Sequence, residues 1–179
     1  MKKVLTILLV LIFGICVLSG CGEEEIQSTD TATTETTEQT DKNTENIMPG
    51  ISGSNSADVI LNLEDTGFPK AKAQVTDTGV MYSETSDIYS YDLDVNINHE
   101  ISYAMFYVYD TKDTEGYLQY CAQLINVEPE KMSKWVEDNK GTKKTKTVND
   151  AIFTLGKSDN AITLEVKSTG YDKFTQENL

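Results

Sequence analysis

An α+β fold, an antiparallel β-sheet with two to three helices packed on one face, is what this chain of 179 residues predicts. Three observations lead there. In "IYSYDLDVNIN", Tyr89, Tyr91, Leu93, Val95 and Ile97 alternate strictly with Ser90, Asp92, Asp94, Asn96 and Asn98, the period of a strand with one buried and one wet face. Strand patterns come in runs separated by short turn signals, not singly between helices, which argues against a parallel sheet. Two consecutive segments after residue 113 carry apolar residues at helical spacing.

Taken in order, the domain opens with a short helix in "ADVILNLEDTGF". Ser56 is its expected cap, Val59, Ile60 and Leu63 its apolar face, Asp58 its favourable first-turn charge, and Gly67 with Pro69 its stop. "AKAQVTDTGVMYS" reads as two strands about the turn Asp77-Thr78-Gly79. The alternating strand follows, then the turn "NHE" and a return strand "ISYAMFYVYD". A two-residue loop would set Tyr91 opposite Phe106 and a three-residue loop opposite Tyr107; a one-residue slip exchanges the faces, so the register stays open at this point. "DTEGYLQYCAQLIN" stripes Tyr117, Leu118, Cys121, Ala122 and Ile125 along one helix face. "EPEKMSKWVEDNKG" places Pro129 in a first turn, Met132, Trp135 and Val136 inward, and Gly141 at the end. A strand near 145–148 precedes a hairpin in which Phe153 and Leu155 return through "GKSDN" to Ile162, Leu164 and Val166; the polar tail from Gly170 is expected to be loose. A helix followed by strands occurs twice, so two helix-plus-strands halves are compatible with this order. That arrangement looks like the tandem helix-and-sheet plan of β-lactamase inhibitor proteins or of TATA-binding-like domains. The likeness is architectural, carries no residue motif and implies no site.

The amino terminus has a different character. "MKKVLTILLVLIFGICVLSGCG" joins a basic start, Lys2 and Lys3, to an apolar run from Val4 to Leu18. That run is shorter than the roughly 20 apolar residues a bilayer span needs, and it ends in small residues, the pattern of a secretory signal peptide. Leu18-Ser19-Gly20-Cys21 resembles the bacterial lipoprotein lipobox, a leucine, two small residues and a cysteine. The resemblance implies a signal peptide over residues 1–20, cleavage before Cys21, a diacylglycerol on the Cys21 sulfur, and an extracytoplasmic protein held at the cell membrane. Two acyl chains suffice for stable residence where one holds only marginally, at about 0.8 kcal/mol per buried methylene. Residues 21–55, beginning "CGEEEIQSTDTATTETTEQTDKNTEN", are too polar to offset chain entropy by burial. They are expected to form a disordered tether averaging about 30 Å end to end, with "NIMPGISGSN" as its turn-rich boundary. Residues 56–179 then suit one domain with a core of its own.

Composition excludes whole classes of function. The formal net charge is -14 and every basic residue is a lysine, so the arginine-bearing basic face of a nucleic-acid-binding protein is missing. Cys16 falls in the signal and Cys21 in the lipobox, leaving Cys121 alone in the domain without a disulfide partner; with His99 the only histidine, no Cys/His zinc site can form. No cofactor is expected.

Several side chains invite a chemical reading. Asp92, Asp94 and Asn96 are spaced like calcium ligands, but a loop counted from Asp92 would need glycine and glutamate where Ile97 and Tyr103 stand. On one strand face these groups lie about 6.5 Å apart, too far to share an ion unaided. His99 with Glu100 and Ser102 could sketch a base and nucleophile, although neighbours in a tight turn point apart. Cys121 lies on the apolar stripe of its helix, away from the cations that activate a thiol. Lys140, Lys143, Lys144 and Lys146 could meet an anionic envelope polymer, but lysines at a strand start more often guard an exposed edge. The tyrosines carry the most weight. With Tyr82 nearby, Tyr89, Tyr91, Tyr103, Tyr107 and Tyr109 fall on neighbouring strands, and tyrosine joins a large apolar body to a polar tip, as interfaces favour. These five form the expected binding face. The expectation is therefore a lipid-anchored envelope lipoprotein whose domain binds a protein partner without catalysis. An enzyme acting on envelope material and a module binding glycan or cell wall are the alternatives.

Overall fold

The computed structural model describes residues 47–67, 70–110, 113 and 115–178, all within one compact unit spanning Thr40–Leu179. The lipobox, Cys21, Pro69 and most of the expected tether lie outside the described residues.

Among the described residues the domain has four helices and seven strands: α1 (Ser56–Asp65), β1 (Lys72–Thr76), β2 (Gly79–Thr85), β3 (Tyr89–Asn96), β4 (Ile101–Val108), α2 (Tyr117–Leu124), α3 (Pro129–Asn139), β5 (Lys144–Val148), β6 (Ala151–Lys157), β7 (Ile162–Ser168) and α4 (Tyr171–Asn178). All neighbouring strands pair antiparallel, in the order β1-β2-β3-β4-β7-β6-β5. The α+β class is therefore as the sequence predicts. The order also has the form of two halves. One is α1 followed by β1 to β4, the other α2 and α3 followed by β5 to β7, and the last strand of each half meets the other at the centre of the sheet.

Register fixes the faces. Tyr91 stands opposite Phe106 and Asp94 opposite Tyr103; a bulge between Asp94 and Val95 then pairs Val95 with Ile101, leaving Ser102 as the extra residue. Tyr91, Leu93 and Val95 of β3 join Ala104, Phe106 and Val108 of β4 on one face, continued by Leu164 and Val166 of β7 and Phe153 and Leu155 of β6. Val59 and Leu63 of α1, Leu118, Cys121 and Ala122 of α2, and Met132 and Val136 of α3 complete this core. Three helices thus cover one face, as expected of the amphipathic stripes.

Three local expectations are corrected. Asn55, not Ser56, caps α1, its side chain accepting the Ala57 amide at 3.0 Å; both residues are good caps, and the helix starts one position away from the one chosen. The domain also begins before Ser56. Met48 and Ile51 are buried, the Ile51 amide donates to the Ile101 carbonyl at 2.9 Å, and the Ser54 hydroxyl accepts the Ile101 amide at 2.9 Å. The string "MPGIS" reads as turn chemistry because of its proline and glycine, yet here glycine serves close approach. A Cβ on Gly50 would lie 2.3 Å from Glu100 Oε2 and 2.7 Å from Asn96 Nδ2. The tail from Gly170 is likewise ordered, as α4. Phe174 is buried, and the Tyr171 ring stacks on Tyr103 at 5.1 Å between centroids. An eight-residue helix is marginal alone, so this packing is what holds it. Tyr103 faces away from the core, which puts α4 against the opposite face from the other three helices.

Candidate functional site

The five expected binding tyrosines do not share one surface. Tyr91 is fully buried in the core, a correction to its place on the expected face. The cause is parity: the register that pairs Tyr91 with Phe106 turns both toward α1 to α3. Burial pushes its hydroxyl up to about 12, with the Glu64 and Glu84 carboxylates adding to the shift. Tyr89, two positions along, points the same way. Its ring stacks on Tyr117 at 4.3 Å with an interplanar angle of 26°, and its hydroxyl donates to Glu115 Oε2 at 2.6 Å.

Tyr103 and Tyr107 occupy the other parity and lie half-buried on the open face of the sheet, with Met105 between them on β4. Cross-strand neighbours are Ser90, Asp92 and Asp94 on β3 and Thr163, Glu165 and Lys167 on β7. Tyr109 follows β4 at the end of this row, 44% exposed, its hydroxyl 3.0 Å from Ser90 Oγ. Burial raises the Tyr103 and Tyr107 hydroxyls above their usual value, and the carboxylates of Glu165 and Asp92 act in the same direction. Asp92 is itself raised by burial and then by Asp94 beside it, so this face carries concentrated negative charge. Lys167 is engaged by Asp172 at 2.6 Å.

The remaining candidates resolve along structural lines. Asp92 and Asp94 do share a face, but Asp94 accepts the Tyr171 hydroxyl. Asn96 is occupied as a turn clamp, its Oδ1 accepting the amides of Asn98 and Glu100 at 2.9 and 3.0 Å. Among the described residues no group of His, Cys, Asp or Glu is arranged to hold a metal ion. His99 sits exposed at a left-handed turn position, φ 64°, whereas Ser102 is fully buried. Cys121 is buried in α2, and burial drives its thiol well above the ordinary value, the opposite of an activated nucleophile. Lys140 donates to the Asp113 carbonyl at 2.9 Å, and Lys146 lies 6.0 Å from the Trp135 ring centroid. The β5 strand that bears Lys144 and Lys146 is an outer edge of the sheet.

Sequence reasoning missed a cleft at the end of the sheet where β3 begins. It encloses about 570 Å³ between Thr66 and Gly67 after α1, residues 86–88 between β2 and β3 with Tyr89 at the start of β3, and Glu115, Tyr117 and Tyr120 at the start of α2. A smaller recess of about 250 Å³ shares Asp87, Ile88, Tyr89 and Glu115 and adds Tyr109 and Asp110. The signal was present as "SDIY", a turn carrying an apolar residue that stays 47% exposed as Ile88. Nothing in one sequence, however, joins it to Glu115 and Tyr117 across the fold.

Among known proteins, no family model matches this chain, and no curated protein or solved structure matches it. Among the described residues no helix is long and apolar enough to cross a membrane.

Proposed function

We propose that the protein is a lipid-anchored, extracytoplasmic binding module, held at the cell membrane through Cys21 and engaging a protein of the envelope without catalysis. The open face of the sheet is its contact surface. One observation carries this reading: Tyr103, Met105 and Tyr107 stand half-exposed in a row on a central strand, backed by a core that needs none of them for closure. Large aromatic side chains on a rigid strand suit an interface, since they contribute contact area at little entropic cost, and methionine is enriched at interfaces with them. Asp92, Asp94 and Glu165 around them favour a partner with a basic patch. The lipobox supplies the reason for the anchor, and the polar stretch after it the reach to present the domain away from the membrane.

The test uses the full chain expressed in a bacterial host that processes lipoproteins. Cys21→Ser is expected to move the protein from the membrane fraction to the soluble extracytoplasmic fraction. Tyr103→Ala/Tyr107→Ala is expected to abolish saturable retention of an envelope protein while the fold, judged by circular dichroism, persists. Retention unchanged in the double variant, or none with the unaltered chain, counts against the open face as the contact surface.

A further inference from the structure

We infer that the cleft at the β3 end of the sheet binds an organic cation, an ammonium or guanidinium group carried by a small molecule or a peptide side chain. The observations are geometric and lie apart from the Tyr103–Tyr107 row. A volume of about 570 Å³ falls within the range of small-molecule sites. Its wall is aromatic: Tyr89, Tyr117 and Tyr120 line it, with the Tyr89 and Tyr117 rings stacked on each other. Tyr120 is fixed nearby, its hydroxyl donating to the Asn62 carbonyl at 3.3 Å. Ring faces of this kind attract cations.

Charge decides the ligand's sign. Glu115 and Asp87 are exposed at the cleft, and the Tyr89 hydroxyl holds the Glu115 carboxylate at the edge of the ring pair. Among the described residues no ion pair engages Asp87 or Glu115. The start of α2 opens here and its positive end would by itself favour an anion. That tendency is offset from beneath: the buried Asp113 carboxylate accepts the Tyr117 amide at 2.8 Å and the Leu118 amide at 3.2 Å. With the helix end already satisfied by a carboxylate, an arriving anion would meet Glu115 and Asp87, and no lysine is among the described residues that line the cleft. A cation would meet two carboxylates and an aromatic floor.

The test is a calorimetric titration of the full chain in detergent with N-acetyl-arginine amide, tetramethylammonium and the tripeptide N-acetyl-Gly-Arg-Gly amide, with N-acetyl-citrulline amide as the uncharged isostere of the first. Saturable binding of at least one cation is expected, weakened tenfold or more by Glu115→Gln and abolished in Glu115→Gln/Asp87→Asn, with N-acetyl-citrulline amide failing to compete. Tighter binding of the tripeptide identifies a peptide source, and equal or tighter binding of the free cations a small-molecule source. Both carboxylates are exposed, so the variants are expected to melt as the parent does; Tyr103→Ala/Tyr107→Ala should leave this binding unchanged. No saturable cation binding, equal binding of N-acetyl-citrulline amide, or affinity unaffected by the double charge removal overturns the assignment.

Discussion

The two faces of the central hairpin use the same residue type in opposite ways. On the helix side, Tyr91 is sealed in the core and Tyr89 is stacked on Tyr117; on the open side, Tyr103 and Tyr107 stand half in water. Nothing local to any of these tyrosines distinguishes them. The bulge at Asp94/Val95 and the pairing of Tyr91 with Phe106 set the parity of the whole ladder, and parity alone assigns each ring to packing or to display. A tyrosine-rich pair of strands is thus two surfaces, and only one is available to a partner.

That contrast is broken most directly by truncation. Tyr91→Ala empties a large, fully buried site beside Phe106 and is expected to cost about 3–5 kcal/mol. Tyr107→Ala, on the half-exposed face, should cost within about 1 kcal/mol. Urea unfolding of the two variants measures both. Similar losses would mean that the open face is covered in the folded protein.

A second test sharpens the contrast by pH. The Tyr91 hydroxyl is raised from about 10 to about 12, chiefly by burial. Between those values the unfolded chain releases its proton while the folded one keeps it, so stability falls as pH rises. The contribution is complete below about pH 10 and is lost as pH climbs through about 12. At about 1.4 kcal/mol per pKa unit, the loss from this group is on the order of 3 kcal/mol. Tyr91→Phe should flatten that part of an alkaline stability profile.

The same contrast explains what could be read from the sequence. The alternation in β3 and the apolar stripes of α2 and α3 were legible because each depends on periodicity within a single element. The faces of the tyrosines were not, because they depend on a bulge whose extra residue, Ser102, looks like any other strand serine. Residues 47–55 were hidden for a related reason: Met48 and Ile51 are isolated apolar residues in a polar string, and only the end of the sheet gives them somewhere to pack. The cleft drew its walls from three separate connections, so no segment carried its pattern. In each case the information lies between elements rather than within one.

The smallest expected effect concerns α4, the helix that packs on the open face. Tyr171 stacks on Tyr103, and its hydroxyl reaches Asp94. A stacked aromatic pair contributes about 0.5–1.5 kcal/mol beyond area burial, and a helix of this length has little stability of its own. Tyr103→Ala should therefore free α4 before it weakens the domain. Amide exchange at Phe174, whose N–H donates to the Gly170 carbonyl at 3.0 Å, is expected to quicken about three- to tenfold, with the global melting temperature lower by only a few degrees. Unchanged exchange there would assign the docking of α4 to the buried Phe174 ring instead. Tyr103 would then be released from a structural duty and left to the open face alone, which would strengthen its claim as a contact residue.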